Sequence, residues 1–204
     1  MFSINHKSLF FLISFALFLI VIAALISNFW PRSEMRFLEL GVLGKNKMAA
    51  AYFEDDDSSL RIGSQLNWFI YIYNHMGTSQ KVIIKVKILN STMLLPDDQK
   101  NQPSPYDSFV ELPISMFANQ TLLVPFSWGI MNASSIGNQI SIDHLLVNNQ
   151  AVEVTVSDSA NSFFRIVFEL WVYDNTSEQY SFGWASGDDF SSASIYMSFK
   201  PVLH

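Results

Sequence analysis

Leu66-Asn67-Trp68-Phe69-Ile70-Tyr71-Ile72-Tyr73 and Lys81-Val82-Ile83-Ile84-Lys85-Val86-Lys87-Ile88-Leu89 are the two runs that decide the fold. In the first, Leu66, Trp68, Ile70 and Ile72 fall on one side of an extended chain, and Phe69, Tyr71 and Tyr73 on the other. In the second, Val82, Ile84, Val86 and Ile88 alternate with Ile83, Lys85, Lys87 and Leu89. A period of two marks a strand, and β-branched and aromatic side chains suit its pleated surface. The link from Asn74 to Gln80 contains Gly77, which a hairpin loop favours. The two strands are therefore expected to pair with each other, with Lys85 and Lys87 on the wet face.

Working outward, Phe163 to Tyr173 is the most apolar stretch of the C-terminal part, with only Arg165 and Glu169 charged, both on one strand face. Such a run predicts a central strand covered on both sides, with Phe168 and Trp171 in the core on opposite faces. Ser108 to Ile114 and Thr121 to Trp128 predict strands whose Pro113 and Pro125 belong at edges or bulges, because Pro cannot donate to a ladder. Pro96 to Pro105 predicts a surface loop, and Gly129 to Gly137 a polar connection. Ile140 to Val147 and Ala151 to Val156 flank Asn148-Asn149-Gln150, a second tight hairpin, with a short helix over 142–147 as the alternative. Gln179 to Ala185 and Ala193 to Val202 supply two last strands. Upstream, Met35 to Val42 and Met48 to Phe53 predict two short ones. The expectation is an all-β, antiparallel β-sandwich, immunoglobulin-like, of nine or ten short strands.

Before this domain lies Leu9 to Ile26, eighteen residues with no charge and Ser14 as the one polar side chain. As a helix the run spans about 27 Å, close to the roughly 30 Å of bilayer hydrocarbon. It predicts a single N-terminal transmembrane helix, with the lipid bilayer as the partner of residues 9–26. A cleaved secretory leader is the rival, but its apolar part is usually shorter. The organisation expected is an anchor over 1–31, a connector over 32–36, and an extracytoplasmic domain over 37–204. Basic residues lean towards the opposite topology, since Lys7 precedes the run and Arg32, Arg36, Lys45 and Lys47 follow it. Four sequons, at Asn90, Asn119, Asn132 and Asn175, argue for an exported domain carrying N-linked glycans.

Composition narrows the function. Charged residues are 15 % of the chain against 50 % hydrophobic, and the formal net charge is −6. A basic patch for nucleic acid is not expected from such a balance. With no cysteine there is no disulfide framework and no thiolate chemistry. The four histidines His6, His75, His144 and His204 share no metal-ligand spacing. The acidic run Glu54-Asp55-Asp56-Asp57 reads as a solvated loop; a calcium site on Asp55, Asp56 and Asp57 is the sharper reading, though it lacks the alternating ligands of an EF-hand. Glu111 and Glu153 both lie on predicted strands, yet nothing in their spacing makes them a hydrolytic pair. No cofactor is expected. Among Trp68, Trp128, Trp171 and Trp184, core packing is the ordinary role. Trp184, between Gly183 and the acidic turn at 186–189, is the candidate for stacking on a sugar.

Leu40-Gly41-Val42-Leu43-Gly44-Lys45, then Leu60-Arg61-Ile62-Gly63, the strand ending Tyr73-Asn74-His75, and Phe168-Glu169-Leu170-Trp171-Val172-Tyr173-Asp174 resemble the archaeal family known as domain of unknown function 1616. The polar insert around Pro96 to Asp107 departs from that pattern. The resemblance implies a membrane-anchored, extracytoplasmic β-domain in the archaeal envelope and carries over no catalytic residue. The function expected is a non-enzymatic module for protein–protein interaction, an accessory subunit of an envelope or membrane complex. The alternative is a carbohydrate-binding module or a degenerate surface hydrolase.

Overall fold

The computed structural model describes residues 6–29, 36–54, 57–186, 189–190 and 193–202, with the backbone alone at 6–8, 11, 23–29, 185–186 and 189–190. The chain divides into two compact units, Met1–Glu34 and Met35–His204. The first holds helix α1, His6–Phe29, of 24 residues. Leu9, Phe10 and every residue from Leu12 to Val21 are exposed. Among the described residues no helix is long and apolar enough to cross a membrane, and part of the span expected over Leu9 to Ile26 lies outside the described side chains.

The second unit is all-β. Its strands begin with β1 Leu38–Leu43, β2 Ser59–Arg61, β3 Leu66–Asn74, β4 Gln80–Leu89, β5 Val110–Met116 and β6 Thr121–Ile136. They continue with β7 Gln139–Val147, β8 Gln150–Ser159, β9 Phe164–Asp174, β10 Gln179–Phe182, β11 Ala185–Ser186, β12 Asp189–Phe190 and β13 Ser194–Val202. One sheet runs β1-β3-β6-β7-β8 and is antiparallel throughout. The other runs β2-β13-β9-β4-β5, with β10 beside the end of β9. Its β13–β2 pair is parallel, and its other pairs are antiparallel.

The two sheets share one core. Trp68 and Phe126 of the first sheet meet Phe168 of the second at ring distances of 6.3 and 5.3 Å, and Trp128 meets Phe199 at 5.1 Å. Phe164, Ile166, Phe168 and Leu170 alternate inward along β9 and are buried. Burying side chains of this size contributes about 1.5–3 kcal/mol each, and without a disulfide this interior holds the domain. The central position expected of residues 163–173 is observed, since β9 lies between β4 and β13. The Asn148–Asn149 hairpin is observed as well. Both asparagines have positive φ, 48° and 66°, the geometry of a two-residue turn joining twisted strands.

The pairing of β3 with β4 is not observed. β3 lies between β1 and β6, whereas β4 lies between β9 and β5 in the other sheet. The segment from Asn74 to Gln80 is a crossover between sheets. Asn74 is fully buried inside it; its Nδ2 donates to the carbonyls of Thr78 and Phe117 at 2.9 and 2.8 Å, and its Oδ1 accepts from the N–H of Met76 at 3.0 Å. The apolar stripes of the two strands face each other across the core instead of lying side by side.

Two further expectations are corrected. Met48 to Phe53 forms no strand. Gly44 and Met48 close a turn at 2.9 Å, and Lys47 and Ala51 take positive φ of 58° and 55°. Tyr52 and Phe53 instead pack edge-on against Trp68. Gly129 to Gly137 is no connection, because β6 continues to Ile136 and folds back through Gly137. That half of the strand is mostly polar because it is exposed, at Asn132, Ser134 and Ser135 among others. Gly129 has a separate cause: a Cβ there would stand 2.1 Å from the carbonyl oxygen of Ser64. Pro113 does sit on an edge strand, β5. Pro125 sits in the middle strand of its sheet, but residues 121–127 pair with β3 alone, so the strand is locally an edge.

Candidate functional site

Glu111, Lys85 and Glu169 form one row across β5, β4 and β9, each the register partner of the next. Odd-numbered residues of these strands point away from the core, so the row lies on the outer face of the second sheet. Lys85 Nζ is 3.3 Å from Glu111 Oε1 and 4.0 Å from the centroid of the Trp171 ring. Lys87, one pleat further along β4, reaches diagonally to Glu169 Oε2 at 2.9 Å. Glu169 is fully buried and Lys87 is 3 % exposed. Two ions taken out of water cost several kcal/mol each unless paired and hydrogen-bonded. Here both conditions are met. Glu169 also accepts from the N–H of Ser104 at 2.8 Å and from Trp171 Nε1 at 3.1 Å, while Lys87 donates to the carbonyl of Ser104 at 2.6 Å.

The polar strap from Pro96 to Phe109 excludes the water. A bridge between Asp97 and Gln102 and a 3₁₀ turn over Asp98–Lys100 shape it, with Asn101 left-handed at φ 51°. Lys87 is thus covered, not solvated as its alternation implies. Trp171 is likewise outside the inter-sheet core: it is half-buried on the outer face, with Lys85 on its ring, and Phe168 alone of the pair lies between the sheets.

Between the strap and the sheet is a cleft of about 410 Å³. Tyr106 and Asp107 line it beside Glu111, Lys85 and Trp171. Ser104 lines it too, 3 % exposed, with its hydroxyl unpartnered. No spacing in the sequence joins these residues into one cluster. Its signal was the carboxylate of Glu169 inside the most apolar run of the domain, which demands a cation on a neighbouring strand.

The other candidates are dispersed. Asp55 and Asp56 lie outside the described residues. Asp57 is exposed, and the Ser59 hydroxyl and N–H hold its carboxyl below the usual carboxylate range. Among the described residues no three His, Asp or Glu side chains approach closely enough to hold a metal ion. Glu111 and Glu153 are on different sheets. His75 Nδ1 stands 3.1 Å from the Tyr73 hydroxyl, and His144 sits at a bulge of β7 opposite Glu153. Trp184 is half-buried, donates to the Leu38 carbonyl at 3.3 Å, and does not line the cleft. Of the sequons, Asn119, Asn132 and Asn175 are exposed. Asn175 sits in a turn where the Thr176 N–H and the Ser177 hydroxyl hold Asp174 below its usual range. The Asn90 amide is tied down: Nδ2 donates to the Ser157 carbonyl at 2.9 Å, and Oδ1 accepts from Thr92 and Met93.

No family model matches the chain, and no curated protein matches it significantly.

Proposed function

We propose that this chain is a non-enzymatic, membrane-anchored module. In this reading an immunoglobulin-like sandwich stands outside the cytoplasm on one transmembrane helix and contacts protein partners of an envelope or membrane complex. The observation that carries the reading is α1. From Leu12 to Val21 every side chain is exposed and none is charged. A helix apolar on all sides belongs in a non-aqueous surrounding, and 24 residues extend about 36 Å. Apolar side chains at the turns of the β unit, Phe117 at 75 % and Ile136 at 81 % exposure, support a contact role. The charges of the outer-face row are spent on one another, which supports binding over turnover. Membership of the domain of unknown function 1616 is part of the proposal and rests on the segments quoted above.

The test is fractionation of cells producing the full chain. The protein is expected to stay with membranes through alkaline carbonate extraction, and protease added to intact cells is expected to remove residues 37–204. Release by carbonate would remove the anchor. Retention with full protease protection would reverse the topology.

A further inference from the structure

We infer that one end of the β unit rests on a lipid interface: the end at which the chain enters β1, with Phe117 as its anchor. Strand register gathers the pieces of this end. Leu38, the first residue of β1, faces Asn74 at the end of β3, and Tyr73 faces Thr121 at the start of β6. In the other sheet Gln80, the first residue of β4, faces Met116, the last of β5. Asn74 Nδ2 donates to the Phe117 carbonyl at 2.8 Å, so the crossover and the β5–β6 turn are joined.

The chemistry of this end suits a membrane–water boundary. Phe117 is 75 % exposed, the most exposed aromatic side chain among the described residues of the unit. Two aromatic clusters share the end. The Phe37 ring stands 5.9 Å from that of Tyr73 and 4.9 Å from that of His75, and Tyr173 stands 5.1 Å from Tyr180. All five are half-buried. Rings with an apolar body and a polar tip settle where one side is wet and the other is not. Neither the crossover over 75–79 nor the turn over 117–120 holds Lys, Arg, Asp or Glu, so no formal charge there has to be desolvated. The exposed Arg36 and Lys81 nearby are outnumbered by the exposed Glu39, Asp174 and Glu178. That balance favours a neutral, zwitterionic surface over an anionic one.

The tether selects this end. Leu38 follows Phe29, the last residue of α1, by nine residues (38 − 29), which reach at most about 30 Å. The opposite end, with Ile136, lies roughly 30 Å away along the strands and is left for the protein contact. Asn119 and Asn175 then stand at the lipid surface, and Asn132, in the far half of β6, is the exposed sequon left open. The inference rests on the anchored-module reading and adds the bilayer surface as a partner of the β unit.

The chain has no cysteine, so single labels can be placed on the full-length protein. Ala118→Cys and Ser135→Cys, at exposed positions on opposite ends, each receive an NBD fluorophore. Each labelled chain is reconstituted in phosphatidylcholine nanodiscs, with or without lipid carrying a nitroxide near the headgroup end of its acyl chain. The label at residue 118 is expected to shift to the blue and lose most of its emission to the nitroxide lipid, and the label at residue 135 to keep its emission. Adding Phe117→Ser to the chain labelled at residue 118 is expected to lower the docked-to-undocked ratio about tenfold and restore emission. Circular dichroism checks that the exposed substitutions leave the fold intact. An unquenched label at residue 118, in chains that elute with the nanodiscs, overturns the inference and leaves the anchor standing. So does equal quenching at both residues, or quenching that survives Phe117→Ser. A blue shift at residue 118 without quenching also overturns it and assigns the end to a protein or a second copy. Chains that do not enter the nanodiscs overturn both readings.

Discussion

Glu169 sits with no exposure at the centre of a sheet, holding one ammonium and two N–H donors. Removing one ion of such a pair strands the other in a low-dielectric site, at a cost of about 3–5 kcal/mol, whereas replacing both by apolar groups is often close to neutral. Lys87→Met is therefore expected to lower unfolding stability by about that amount. Lys87→Met combined with Glu169→Leu should lose less than the two single losses added together. Urea titration of the full chain measures both, and a single-variant loss under about 1 kcal/mol would show that water reaches the pair. Alternation assigns Lys87 a side of the strand correctly. It does not tell whether that side is covered, because the cover is the Ser104 backbone, 17 residues further on, and a period of two is blind to such a neighbour. Glu169 was the readable clue, since a carboxylate in so apolar a run must find a cation.

The strands themselves were legible almost everywhere, because the β-branched and aromatic alternation that forms them is local. Which strands pair was not. A one-sided stripe serves equally in a hairpin or in two sheets facing each other, and the crossover between the sheets is tied together at Asn74. Its carboxamide satisfies two carbonyls and one N–H where the chain leaves one sheet for the other. Asn74→Ala orphans those groups and is expected to cost about 1–3 kcal/mol. Asn74→Asp keeps the acceptor for Met76 but sets a carboxylate against the Thr78 and Phe117 carbonyls, and should cost at least as much. Hydrogen exchange should show faster opening at 74–80 in both variants. Unchanged protection there would assign the crossover's stability to the flanking strands instead. The Asn148–Asn149 hairpin, by contrast, was readable because its turn chemistry sits in two adjacent residues.

On the scale of the whole molecule, the four sequons are unequal. If the domain is exported and made by a glycosylating host, glycans are expected at one or more of Asn119, Asn132 and Asn175, all exposed. Asn90 is expected bare, because its amide nitrogen is bonded to the Ser157 carbonyl across the end of the sandwich. Glycopeptide mass spectrometry of the purified chain reads this directly. A glycan on Asn90 with the other three bare would contradict the ranking. The sequence listed the sites but could not order them, since the Ser157 bond joins residues 67 apart.

The crossover also sets a timetable. Val82 of β4 pairs with Val172 of β9, 90 residues later (172 − 82). At about 5–20 residues per second of synthesis, the inner edge of β4 waits roughly 5–20 s for its neighbour. Throughout that interval Lys87 has no Glu169. A nascent chain in this state offers an apolar strand with an open hydrogen-bonding edge, the species most prone to pair with another copy. The length of that exposed interval is thus fixed by the order in which the strands leave the ribosome.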